Sequence, residues 1–468
     1  MYLKKRLAVA AALLLGAGIA VVPATAASAA SAGGAGRGGT PDKVISAYFA
    51  DWDVYGRGYF VKDIPANKIN VIQYAFGNPT FDPTTNTPGC AILDPWADYQ
   101  QPYGTDNSVD GVADDAANLD QHVFGNFNQL LKLKKLHPNL KVEISLGGWT
   151  KSTWFSTVSK TDALRKAFVS SCIDTFIKGN LPGGGWPTGA GGTGAAAGLF
   201  DGIDLDWEYP TAFAGGNLNI GPEDRHNATL LAQEFRRQLN ALGDANHKHY
   251  LLTAALPAAK NSTNYYELSA FVKSLDWANV MTYDFNVPGG TVSAPDTLFT
   301  SDPRDPNHAD PTWNTVGTVA WYLQNGVPKH KLVVGVPFYA NQYIRSNGLY
   351  APFDNTGLDA NVLQWDQTPQ PSYHELVDNG GIVGANGYTE HWNFFAGEPY
   401  LTNPAAVHNL SDGTTITVPT TIVYSDPQSI GERTALVKAL GLRGAMAWEI
   451  SQDSNSHALI SALGPILH

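Results

Sequence analysis

The sequence predicts an α/β fold: a (β/α)8 TIM barrel with a small α+β insertion domain after the seventh strand. Three observations predict it. Short runs rich in β-branched and aromatic residues alternate with stretches of helical periodicity, eight strands in all. About 85 residues, 341–425, separate the seventh run from the last helical pattern, too many for a simple loop. A densely acidic segment closes the fourth run, and barrel active sites lie at the C-terminal ends of the strands.

In chain order the strands are expected at Val44–Phe49, Val71–Phe76, Lys141–Leu146, Leu199–Asp206, Tyr250–Leu256, Trp277–Tyr283, Leu332–Phe338 and Arg443–Glu449. Helical patterns fall at Phe124–His137, Ala163–Ile177, Glu223–Leu242, Val316–Gln324 and Ile430–Leu440. The Gly/Ala/Thr tract Gly183–Gly198 precedes a strand instead of joining a strand to a helix. It therefore reads as a flexible loop on the face opposite the site, not as a phosphate cradle. The barrel takes residues 43–340 and 426–468, and the Tyr-, Trp-, Asn- and Gly-rich segment 341–425 forms the insertion.

Residues 1–29 read as a secretory signal peptide: Lys4, Lys5 and Arg6 precede the apolar run Leu7–Val22, and Ala27-Ser28-Ala29 follows. Residues 30–42 read as a flexible segment, and no other apolar run is long enough to cross a bilayer. The expected location is extracellular. Losing those three cations takes the formal net charge from −12 to −15. An acidic surface repels phosphate backbones and anionic lipid, so neither nucleic acid nor membrane is an expected partner. The expected state is a monomer. Cys90 and Cys172 are the only cysteines, which excludes a Cys-based zinc site. In an oxidising compartment they form one disulfide or remain two thiols; spacing does not decide between these. No His-x-x-x-His spacing occurs among the 12 histidines, and no cofactor or metal is expected.

Residues 201–210 carry most of the functional information: Asp-Gly-Ile-Asp-Leu-Asp-Trp-Glu-Tyr-Pro. On a strand Asp204, Asp206 and Glu208 project to one face, and Ile203, Leu205 and Trp207 to the other. Carboxylates confined together raise one another's pKa, so at least one holds a proton near neutral pH. A solvated edge strand fits poorly with so apolar a reverse face, and grouped oxygens also suit Ca²⁺ or Mg²⁺. Glycoside cleavage needs a proton donor at the leaving oxygen and stabilisation of an oxocarbenium-like centre. Glu208, the outermost acid, is the candidate donor, with its pKa raised by Asp206 and partial burial. No second carboxylate is placed at an obvious nucleophile position.

These residues resemble glycoside hydrolase family 18, the chitinases. Asp201-Gly-Ile-Asp-Leu-Asp-Trp-Glu208 is similar to the family's DxxDxDxE signature, and Ser145-Leu-Gly-Gly-Trp149 to its SxGG motif. Met281-Thr-Tyr-Asp284 is similar to the M-x-Y-D of the sixth strand, and Trp448 to the tryptophan of the eighth. The motifs run in the family's order over residues 43–466. The resemblance implies a retaining, substrate-assisted mechanism in which the substrate's own 2-acetamido oxygen attacks the anomeric carbon. It implies that Asp206 binds the acetamido N–H, Tyr283 binds its oxygen, and Asp204 tunes Asp206. Trp448 would floor the sugar, and Asp284 would contact sugar or acid. Met281, Tyr48, Phe76, Gly148, Trp149, Tyr209 and Tyr339 complete the implied substrate-binding set. Asp201, Ser145 and Gly147 are expected to be structural beside it.

One departure is visible: Tyr339-Ala340-Asn341 stands where many relatives carry Tyr-Gly-Arg, which puts the arginine's sugar contact in question. Trp52, Trp154, Trp313 and Trp392 read equally as sugar platforms or core filler. The implied partners are chitin and chito-oligosaccharides. A chitin-binding lectin would ordinarily have lost Asp206 or Glu208, and an endoglycosidase acting on N-glycan cores usually lacks the long insertion.

Overall fold

The computed structural model describes residues 39–217 and 219–468. The signal-peptide reading and all but the last four residues of the 30–42 segment lie outside them. Thirteen strands are present among the described residues. Eight make the barrel: β1 (Val44–Ala50), β2 (Val71–Asp82), β4 (Lys141–Gly147), β5 (Gly202–Asp206), β6 (Leu251–Pro257), β7 (Trp277–Met281), β8 (Leu332–Pro337) and β13 (Gly444–Trp448). The hydrogen-bonded order is β1-β13-β8-β7-β6-β5-β4-β2, and pairing of β1 with β2 closes it. Nearly every barrel-strand residue up to the C-terminal ends is buried. That is why these segments read as near-continuous apolar runs and not as alternating ones.

Boundaries differ from expectation in informative places. β5 begins at Gly202 and not at Leu199, because Asp201 turns aside to meet two lysines. β2 runs on to Asp82 and pairs antiparallel with β3 (Thr87–Ile92), a hairpin that Gly77, Asn78 and Pro79 disguise in the sequence. The tract Gly183–Gly198 is tied down: Leu181 bridges Gly192, and Gly191 N–H donates to the His122 carbonyl at 2.8 Å. A Cβ on Gly191 would lie 2.0 Å from the Pro182 carbonyl oxygen, so glycine permits close approach there, not mobility.

The described chain packs as two compact units, one comprising residues up to Leu256 with Asn261–Ala278, the other Pro257–Lys260 with Asn279–His468. In the first, Tyr74, Phe127 and Phe200 form a core of edge-to-face and tilted rings at 5.3–6.2 Å. Helices Gly125–Leu136, Asp162–Cys172 and Asp224–Asn246 belong to this unit. Cys90 on β3 is disulfide-bonded to Cys172. In the second, β9 (Asn341–Ile344), β10 (Thr389–Asn393), β11 (Glu398–Asn409) and β12 (Thr415–Val423) form a separate antiparallel sheet ordered β10-β11-β12-β9. Phe285, Leu298 and Ala396 pack together there, and Arg433 is fully buried with Glu398 at 2.7 Å. Among the described residues no helix is long and apolar enough to cross a membrane.

Candidate active site

β5 delivers its acids into a layer of hydroxyl groups. The β4–β5–β6 register places Ser145 and Thr253 on either side of Asp204. Asp204 Oδ2 accepts from Tyr48 Oη and Ser145 Oγ, both at 2.8 Å, and Oδ1 accepts from Thr253 Oγ1 at 2.6 Å. Three hydroxyl donors on one buried carboxyl favour its ionised form, each contributing about 1.5–3 kcal/mol as a bond to a charged group. Asp206 stands one layer further out, also buried, and its Oδ1 has no hydrogen-bond partner among the described residues. Burial first, then the charges of Glu208 and Asp204, push its pKa well above the usual carboxylate range. The contrast is chemically useful: the inner carboxyl is held by three hydroxyl donors, and burial and neighbouring charge favour the protonated form of the outer one.

Glu208 lies two residues beyond the end of β5, and the turn that carries it is anchored. Its backbone N–H donates to Ser152 Oγ at 2.9 Å, and that hydroxyl reaches the carbonyls of Gly148 (2.9 Å) and Asp206 (3.2 Å). Tyr209 hydrogen-bonds Glu208, and burial followed by that carboxyl's charge raises the tyrosine's pKa well above its ordinary value. On the reverse face Trp207 stacks on Phe155, centroids 5.4 Å apart.

The glycine pair after Ser145 is a matter of space. Gly147 has φ +103°, and a Cβ there would lie 2.5 Å from the Asp206 carbonyl oxygen. Gly148 has φ +81°, and a Cβ would lie 2.7 Å from the Phe76 ring. Trp149 is 53% exposed, and Trp52, 44% exposed, sits 6.0 Å from Phe76. Tyr48 corrects the expectation of a sugar contact: it is 1% exposed and its hydroxyl is committed to Asp204, so it buttresses the acids from below.

Asp201 works at the opposite end of β5. Its carboxylate meets Lys134 at 2.7 Å and Lys248 at 3.0 Å and accepts from Val142 N–H. Burial opposes ionisation, yet the two lysines outweigh it and hold the pKa below the usual value. A depressed pKa contributes stability that is complete above the unfolded value near 4 and is lost as pH falls through the folded value. Asp201→Asn is expected to lose about 2 kcal/mol at pH 7, because two partly buried lysines lose their counter-ion. The deficit should shrink below about pH 4, and thermal melts of both proteins at pH 3 and pH 7 measure it.

The second unit carries the other predicted residues. Met281 ends β7, and Tyr283 follows, buried, with its ring edge-on to Tyr339 (6.3 Å, 84°) and its hydroxyl 3.8 Å from Met446 Sδ. Asp284 adopts a left-handed backbone (φ 56°), is exposed, and accepts from Tyr339 Oη at 2.6 Å. Surrounding protein still raises its pKa by desolvation. The buried Asp296 carboxyl lies against it, its own pKa raised well above the ordinary range by burial and then by Asp284. Asn341 resolves the departure noted above. It is fully buried on β9, where Nδ2 donates to Asp296 Oδ1 (3.0 Å) and the Asn286 carbonyl (2.9 Å), and Oδ1 accepts from Gln370. It is a structural amide and not a sugar contact. Trp448, half-buried, ends β13.

Sequence reasoning missed Ser152, Thr253 and Asp296. Thr253 had a signal, being the lone polar residue in the apolar run Leu251–Pro257. Ser152 and Asp296 had none, since the site groups they meet, Asp206 and Glu208 for Ser152 and Asp284 for Asp296, lie in other segments of the chain. Among the described residues no group of three or more His, Cys, Asp or Glu side chains is arranged to hold a metal ion.

A family model described as Glycosyl hydrolases family 18 matches residues 44–453. Chitinase A1 of Niallia circulans is 36% identical over 445 residues, covering 88% of this chain and 56% of that protein. Chitinase 1 of Aphanocladium album is 29% identical over 421 residues, covering 89% of this chain and 83% of its own. The catalytic domain of psychrophilic chitinase B from Arthrobacter TAD20 superposes with a TM-score of 0.76 at 32% identity, covering 91% of this chain and 95% of that one. The chain thus spans little more than half the length of Chitinase A1. Barrel, acidic strand and a match running through both place the chain in glycosyl hydrolase family 18.

Proposed function

We propose that the chain is a secreted chitinase that hydrolyses β-1,4 linkages between N-acetylglucosamine units with retention of configuration. The observation that carries this reading is the graded acid column of β5: Asp204 under three hydroxyl donors, Asp206 with its pKa pushed up, and Glu208 outermost on an anchored turn. Glu208 protonates the leaving oxygen and later deprotonates the incoming water. Asp206 accepts the acetamido N–H as the oxazolinium charge develops, and Asp204 takes up the proton that Asp206 gives up. Tyr283 donates to the acetamido oxygen; its thioether neighbour is a weak acceptor that a carbonyl outcompetes. Trp448 lies under the sugar, and 341–425 serves as a chitin-insertion subdomain. Intramolecular attack gains its advantage from held geometry, so the group that attacks must be present and oriented.

Partly deacetylated chitosan distinguishes this mechanism from its competitors. The expected products all carry N-acetylglucosamine at the new reducing end, initially in the β configuration. Glucosamine at new reducing ends, or initial α product, would assign the attack to an enzyme carboxylate or an activated water. Activity confined to a high-mannose glycopeptide would move the substrate to N-glycan cores.

A further inference from the structure

Beneath the acid column lies a fourth carboxyl that the mechanism above does not use. Glu143 sits two residues before Ser145 on β4, so both project to the same side, and it is fully buried. Its Oε1 is 3.2 Å from Thr253 Oγ1, the same hydroxyl that lies 2.6 Å from Asp204 Oδ1. A threonine hydroxyl has one hydrogen to give. The short contact to Asp204 takes it, so the contact to Glu143 needs a hydrogen from Glu143. We propose that Glu143 is a positioning residue: uncharged, it donates through Thr253 to Asp204, and this relay keeps Asp204 the anion and leaves the shared proton on Asp206.

The surroundings of Glu143 agree with an uncharged group. Glu143 Oε2 meets no hydrogen-bond partner among the described residues, and an ionised oxygen buried so is costly. Its register partner on β2 is the neutral Gln73, and Gly202 faces it on β5. The charges felt from neighbouring elements are Asp204, Asp276 and Asp201, all acidic. The nearby cations are already committed: Lys134 and Lys248 to Asp201, Arg236 and His249 to Asp276. Burial, then Asp204, raise the Glu143 pKa well above the ordinary value. The inference rests on reading β5 as the catalytic column and adds what sets its proton.

The test is the pH profile of kcat/KM on a soluble chito-oligosaccharide for wild type, Glu143→Gln, Glu143→Leu and Thr253→Val, with thermal melts of each. The amide of Glu143→Gln still donates to Thr253, so its profile should superimpose on wild type. Glu143→Leu and Thr253→Val break the relay. Asp204 then binds its proton more tightly: Thr253→Val loses one bond to the carboxylate and should raise the acid limb by about one pH unit, while Glu143→Leu keeps that bond, loses only the donor that polarises it, and should raise the limb by less. The double variant should shift no further than Thr253→Val, since both changes act through one chain. Truncations that lower only the melting temperature, or a Glu143→Gln profile whose alkaline limb moves down as if a negative charge had left, overturn the proposal. Infrared spectra provide a readout independent of turnover: Asp206 and Asp296 also contribute protonated-carboxyl absorption, so the wild-type minus Glu143→Gln difference spectrum at neutral pH should show the loss of one buried protonated carboxyl, and a difference spectrum showing the loss of a carboxylate instead overturns the proposal. Glu208→Gln separates the two levels. If it stays active the catalytic column itself is misassigned; if it is inactive while the acid limbs stay put, only the Glu143 relay fails.

Discussion

Glu208→Gln is expected to fold normally, bind chito-oligosaccharides and lose turnover on chitin by at least the 10²–10⁴-fold typical of general acid catalysis. The amide is nearly isosteric, and the anchor of the turn is the backbone N–H of residue 208, which the substitution keeps. What disappears is the proton that an alkoxide leaving group needs. A substrate with an acidic phenol as leaving group needs that proton less, so its loss in the first step should be visibly smaller. Unchanged circular dichroism and binding establish that the fold survives, and initial rates on both substrates measure the effect. Near wild-type turnover on chitin would remove Glu208 from the role.

Breaking the buried Cys90–Cys172 bond should cost the fold a large part of its stability. It closes a loop with a sequence separation of 82, which in the chain-entropy model stabilises by about 4 kcal/mol. The reduced protein keeps part of the local geometry, because Cys90 N–H donates to Ser171 Oγ at 3.0 Å and Thr175 Oγ1 donates to the Cys90 carbonyl at 3.4 Å. The expected result for Cys90→Ala/Cys172→Ala is therefore a folded, active and less stable enzyme. Denaturant titration against the oxidised wild type measures the difference. A difference near zero would mean that packing of β3 on the helix Asp162–Cys172 already holds the hairpin.

The eight barrel strands were legible because both faces of each are buried, which leaves an apolar run bounded by polar punctuation. The second sheet was legible only as an insertion of mixed structure; Glu398–Asn409 and Thr415–Val423 include Pro399, Pro404 and Pro419, which blur a strand pattern. Within the site, the acids announced themselves because three carboxyls at a spacing of two are costly in so apolar a segment. Their supports did not. Tyr48, Ser145 and Thr253 meet at Asp204 from three other strands, 49 to 156 residues away from it in the chain. Such convergence is a property of the closed sheet and leaves no local trace. Asn341 shows the converse: its identity looked like a change in substrate contact, and only its burial reveals a change in the scaffold.

That buried asparagine also bears on which substitutions this part of the fold can accept. An arginine placed at position 341 would bring a guanidinium into a space closed around a small amide, with Gln370 and the Asn286 carbonyl already bonded to it. Asp296 would become a full counter-ion instead of a proton-holding neighbour of Asp284. Asn341→Arg by itself is therefore expected to destabilise this unit, and a smaller residue at 370 should reduce the loss. The unit that must change together is therefore the set Asn341, Asp296 and Gln370, and not any single position.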